Sequence, residues 1–92
     1  MKHFAWDSEK NDTLQRERHI SFEFIVSLIE EGKLLDIVEH PNQKKYAGQK
    51  MFVVNVRNYA YLVPFVESAQ RVFLKTIIPS RKATKKYLNR EE

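Results

Sequence analysis

The chain has 92 residues, 42% of them hydrophobic, enough for one small domain with one core and too few to enclose a large cofactor. It contains no cysteine, which excludes a disulfide framework and a thiolate metal site, and no apolar run approaches the roughly 18 residues of a membrane span. The formal net charge of +4 is unevenly divided: residues 1–40 carry nine acids and five bases (−4), residues 41–92 eleven bases and three acids (+8).

In chain order, His3-Phe4-Ala5-Trp6 has short strand character. Asp7 is a good N-cap, with Glu9 in the first turn of a polar helix that runs to about Arg18. Leu14 is its one apolar anchor, so this helix belongs on the surface, held by its ends and by Trp6. Ser21 caps a second helix, Phe22 to Glu31, in which Ile20 and Ile25 form a hydrophobic staple and Glu23 suits the dipole. Phe22, Ile25, Val26, Leu28 and Ile29 give it a broad apolar face for packing on a sheet, and Gly32 supplies the stop.

Leu34 to Glu39 reads as a strand closed by His40-Pro41-Asn42, where proline and asparagine favour a turn. A polar, basic loop follows, from Gln43 to Lys50. Three β-rich segments come next, Met51 to Arg57, Tyr59 to Val66 and Arg71 to Ile78, joined near Asn58 and at residues 67–70. Such short joins require antiparallel neighbours. The expectation is an α+β fold: an antiparallel β-sheet with two N-terminal helices packed on it and a C-terminal basic helix, residues 1–92 forming a single domain.

The end of the chain is electrostatically unusual. From Arg71 to Arg90 there are seven Lys or Arg residues and no acid. With Ser80 as N-cap, Arg81 and Lys82 fall in the first helical turn, where the dipole disfavours cations by about 0.3–1 kcal/mol each. Arg81/Lys85 and Lys82/Lys86 are also like-charged pairs at i,i+4 spacing. An anion would relieve this, and phosphate suits both the cations and the exposed N–H groups of a helix start. The field as a whole points to nucleic acid, a phosphorylated ligand or an acidic protein.

The order Phe4-x-Trp6-Asp7-x-x-Lys10-Asn11, then His19-x-Ser21-Phe22-Glu23, then a β-meander ending Ile77-Ile78-Pro79-Ser80-Arg81-Lys82-Ala83-Thr84, resembles the BrnT-type toxins of bacterial type II toxin–antitoxin systems. The likeness spans nearly the whole chain. It implies a RelE-like fold, a metal-independent endoribonuclease that arrests translation, and no cofactor. It also implies a cognate antitoxin protein as partner, RNA as substrate, and operator DNA met only through the antitoxin. The Ile-Ser-Ala-Arg-Arg-Ala pattern of the family is here Ile78 to Ala83, and a frequent strand arginine corresponds to Thr76, with Lys75 beside it.

Metal-free RNA cleavage needs a group for the 2′-hydroxyl proton, cations for the transition state and a donor for the leaving oxygen. Arg81 is the first candidate cation, because its planar fork holds two phosphate oxygens, and Lys82 the next. His40, beside the basic loop, and Tyr46, among Lys44, Lys45 and Lys50, are the candidate proton-transfer groups. Lys44, Lys45, Lys75, Lys85 and Lys86 are expected to bind RNA phosphates, and no metal site is expected. His19 and Trp6 are assigned structural roles and Tyr87 a core position. With no membrane segment and no signal-peptide character at Met1-Lys2-His3-Phe4, a cytoplasmic location follows. The same charge pattern also suits a non-catalytic nucleic-acid-binding module or a protein-interaction domain with a basic surface.

Overall fold

The computed structural model describes residues 2–88. Strand β1 (His3–Trp6) leads into helix α1 (Ser8–Arg18) and helix α2 (Phe22–Glu30). Strands β2 (Leu34–Glu39), β3 (Lys50–Val56), β4 (Tyr59–Glu67), β5 (Arg71–Leu74) and β6 (Ile78–Pro79) follow, and helix α3 (Arg81–Leu88) closes the described chain. The sheet order is β1-β5-β4-β3-β2, with β6 paired to β4.

Local chemistry sets the helix limits. The Asp7 carboxylate accepts from the N–H of Lys10 at 3.3 Å, and Ser21 Oγ from the N–H of Phe24 at 3.1 Å. His19 ends α1 in a left-handed conformation (φ 58°), its N–H donating to the Gln15 carbonyl. Gly32, at φ 87°, ends α2 in a Schellman arrangement: its N–H donates to Ile29, and that of Lys33 to Leu28.

The main core lies between α1 and α2 and one face of the sheet. Leu14, Ile20, Phe22, Ile25, Phe52 and Val63 belong to it, and Trp6 stacks on Phe22 at 5.7 Å. Among the described residues, Asn11 is the one buried polar residue of this layer. Its Oδ1 accepts from the buried N–H of Phe22 and its Nδ2 donates to Glu23, both at 2.8 Å, which fastens α1 to the start of α2. Tyr61 and Phe65 share this core face, as alternation from Tyr59 implies.

Two features differ from the sequence expectation. The sheet is mixed, not wholly antiparallel: β1 pairs in parallel with β5, His3 opposite Arg71 and Trp6 opposite Leu74. Most of the chain, including both N-terminal helices, separates these strands, so no tight turn dictates their direction. Nor is Arg71 to Ile78 one strand. β5 stops at Leu74, and β6 resumes pairing on the same edge of β4, with Ile78 opposite Leu62. Between them Ile77 turns fully into the core, and its carbonyl accepts from Arg18 Nη1 at 3.0 Å. Burying an isoleucine stabilises by about 1.5–3 kcal/mol, more than the ~1 kcal/mol of a ladder hydrogen bond that Arg18 in any case replaces. Pro79, which has no N–H to give, sits at the end of an edge segment where none is needed.

The second face carries a smaller core of Val53, Ala60 and Ala83, with Leu35, Val38, Leu62 and Tyr87 against it. A bulge in β2 makes this possible. Leu34 pairs with Val54 but Asp36 with Val53, so one extra residue is accommodated. Leu34 packs into the main core, Leu35 into the second, and Asp36 also points to the second face.

Replacing Asn11 with Ala strands the buried N–H of Phe22 and should destabilise the fold by about 1–3 kcal/mol, read as a lower urea midpoint at unchanged slope. The Asn11 bond is also the main reason that the Glu23 carboxyl lies below its ordinary value. Stability from that bond is complete above the ordinary carboxylate range and lost as pH falls through the lower folded value, so the variant's stability should depend less on pH in the acid range.

Candidate nucleic-acid interface

Helix α3 is fixed to the sheet by its first turn. Ser80 Oγ accepts from the N–H of Ala83 at 3.0 Å, and the Ser80 N–H donates to the Ala60 carbonyl at 3.0 Å. Thr84, one turn on and buried, donates its hydroxyl to the Ser80 carbonyl at 2.8 Å while its Oγ1 accepts from the Ala60 N–H at 2.8 Å. Both backbone groups of Ala60 are thereby satisfied by α3. This role of Thr84 escaped the sequence reading, although a threonine four residues after an N-cap serine is the spacing for back-bonding.

At its other end, α3 is tied to β2. The Tyr87 hydroxyl donates to Asp36 Oδ2 at 2.6 Å. That bond, followed by the Ile37 N–H and the charge of Lys86, holds the Asp36 carboxyl below its ordinary value, and the same bond holds the Tyr87 phenol above its own. Tyr87 is thus a half-buried core residue with its polar tip engaged, as its spacing from Ala83 suggested.

Between α3 and strands β2–β4 runs an open groove of about 330 Å³. Val38, Met51, Val53 and Leu62 form its apolar floor; Lys82, Lys86 and Tyr87 line the helix side and Pro41 the opposite end. Glu39 also borders it, but strand alternation from Val38 sends its side chain to the other face, in register with Lys50.

The structure distributes the sequence candidates unevenly. Lys82 and Lys86, an i,i+4 pair, reach the groove; Arg81 and Lys85 are exposed outside its lining. Among the described residues the one ion pair is Lys2–Glu67 at 2.7 Å; none of the four cations of α3 forms one, though Lys86 lies within the field of Asp36. His40 and Tyr46 come together, their rings 4.3 Å apart, in the turn beside Pro41, with the Lys45 ammonium 5.4 Å from the Tyr46 ring. The Asn42 N–H donates to His40 Nδ1 at 3.1 Å, so the neutral imidazole carries its proton on Nε2. Lys44 is exposed in the same loop. Lys75 lies apart, at the end of β5, with its ammonium 5.8 Å from the Phe73 ring.

Thr84→Val keeps the shape and removes the acceptor of a buried N–H; it should cost about 1–3 kcal/mol in chemical denaturation, whereas Thr84→Ser should recover most of the loss. Tyr87→Phe should raise the Asp36 carboxyl toward its ordinary value, visible in an NMR titration. In the wild type the bond's contribution is present above the ordinary Asp value and lost as pH falls through the depressed one. It is lost again as pH rises through the elevated phenol value, above about 10. The variant should lose the alkaline dependence and keep a weaker acid one, because the Ile37 N–H and Lys86 still act on Asp36.

The chain finds no match among known protein families, curated proteins or solved structures.

Proposed function

We propose that this chain is a BrnT-type, RelE-like toxin: a metal-independent endoribonuclease that cleaves RNA, inhibits translation and is neutralised by a cognate antitoxin. The observation that carries the reading is the groove beside α3, lined by Lys82 and Lys86, neither in an ion pair with a described acid, and by Pro41 of the turn that holds His40 and Tyr46. The motifs at Trp6-Asp7, His19-x-Ser21 and Ile78 to Thr84 supply the family reading.

In this proposal the ribose 2′-hydroxyl attacks the adjacent phosphorus and the bond to the 5′-oxygen breaks, giving a 2′,3′-cyclic phosphate and a 5′-hydroxyl end. Tyr46 Oη takes the 2′ proton as its own proton passes to solvent. Lys82 stabilises the charge on the phosphoryl oxygens and, as an ammonium, gives a proton to the leaving oxygen; Arg81 beside it and Lys86 a turn on hold the flanking phosphates. His40 donates a hydrogen bond from Nε2, because its Nδ1 is engaged by Asn42.

That same engagement favours a second reading, in which His40 and Tyr46 only shape the loop and the basic groove binds RNA without cutting it. End-labelled RNA incubated with the purified chain in EDTA separates the two. Cyclic-phosphate fragments that disappear in Lys82→Ala and Tyr46→Phe, with Arg81→Ala impaired, are expected of the nuclease. Intact RNA retained on a gel would leave the binding module. In either case log K should fall linearly with log salt, and Lys82→Gln should shallow the slope by about 0.7, the effect of one phosphate contact on a single strand.

A further inference from the structure

Among the described residues helix α3 covers only part of the second sheet face; over β5 the outward Arg71 and Lys75 are exposed and Phe73 is partly so. Val72 and Leu74 point into the main core, so strand alternation turns Arg71, Phe73 and Lys75 to the open face. The Lys75 N–H still bonds the Pro64 carbonyl, at 2.7 Å, which carries the strand geometry one residue past β5, and the Lys75 ammonium rests 5.8 Å from the Phe73 ring. The open face of β5 is therefore a cation, an aromatic and a cation at alternate residues, about 6.6 Å apart. Phe73 is partly buried, flanked in register by Ala5 on one side and the exposed Val66 on the other, so part of the ring still reaches the surface.

Among the described residues, strand register places no acid on this face. The platform face carries His3 and Ala5 on β1, and Pro64 and Val66 on β4. Glu67, the nearest strand acid, pairs in register with core-facing Val72 and so lies on the helix side, bound to Lys2 at 2.7 Å. The platform is also continuous with the groove. Met51, part of the groove floor, pairs with Pro64, whose carbonyl Lys75 meets. Two strand spacings, about 10 Å, separate Met51 from Lys75.

We infer that this strip is a second RNA subsite, in which an unpaired base stacks on Phe73 while Lys75 and Arg71 hold the phosphates on either side. The inference rests on the proposed RNA function and extends it to a substrate class, single-stranded RNA. An alternation of cations with an aromatic on an open, apolar sheet face suits a strand whose bases are splayed out. It gives a duplex nothing to stack on. An acidic peptide would use the cations and leave the ring idle.

Fluorescence anisotropy with a labelled 12-nucleotide single strand and with the same sequence as a duplex tests this. The wild type should prefer the single strand. Phe73→Ala should weaken single-strand binding at least about fivefold, the low end for loss of one base–aromatic stack, while duplex binding stays unchanged. Phe73→Trp should restore affinity, and its thermal unfolding should match the wild type, which separates lost stacking from lost fold. Arg71→Gln should shallow the salt slope. Unchanged single-strand binding in Phe73→Ala, together with loss in Lys82→Gln/Lys86→Gln, would overturn the subsite and keep the groove. Equal affinity for duplex and single strand would overturn it too, and absence of RNA binding in the wild type would overturn the underlying function as well.

Discussion

Everything at the C-terminal end of this chain depends on how one edge of β4 is shared. Nine residues long, it offers more edge than the four residues of β5 can fill. The remainder is taken by β6 after the chain has dipped inward to bury Ile77. That detour decides where α3 begins, because Ser80 follows β6 directly and locks onto Ala60 of β4. From there α3 can cross only toward β3 and β2. Its eight residues span about 12 Å, whereas four strand spacings are about 19 Å, so one helix cannot cover the face. The partly exposed strip over β5 follows from the length of a helix and the position of a strand break.

The electrostatics follow from the same placement. Four cations on a short helix are unfavourable to one another and, in the first turn, to the dipole. A surface ion pair would return at most about 1 kcal/mol each, so evolution had a cheap way to blunt them. The described acids near α3 form no close ion pair with them. Asp36 takes the Tyr87 hydroxyl instead, at a site that a bulge in β2 creates. The helix is thus tethered through neutral hydrogen-bond donors, Ser80, Thr84 and Tyr87, and its charges are left to the solvent side and the groove.

Much of this architecture was legible in the residues. Asp7, Ser21 and Gly32 mark helix ends through short-range chemistry, and each acts within four residues of itself. Likewise β2 and the turn at Arg57-Asn58, where both residues have positive φ, are local matters. What escaped was decided at a distance. Nothing within His3–Trp6 says that it lies parallel to β5. Nothing in the run from Val72 to Ile78, an unbroken β pattern, says that Arg18 waits 59 residues away for the Ile77 carbonyl. For the site, helical spacing separates Lys82 and Lys86 from Arg81 and Lys85, but which pair meets the groove depends on the angle at which Thr84 pins the helix.

A chain of this size has a further constraint. A small domain buries a modest share of its surface, and here the large side chains, Phe22, Phe52, Phe65, Ile25 and Ile77, are all committed to one face of the sheet. The opposite face has a smaller buried cluster, Val53, Ala60 and Ala83 under a single helix with half-buried leucines and Tyr87 around it, and Phe73 partly buried on β5. Stability is therefore concentrated on the side of α1 and α2, where few positions can change without creating a cavity. The other side is free to carry charge, an open groove and a partly exposed ring at little cost to the fold. Chemistry on the α3 face needs no compromise with the core, because the sheet itself stands between them.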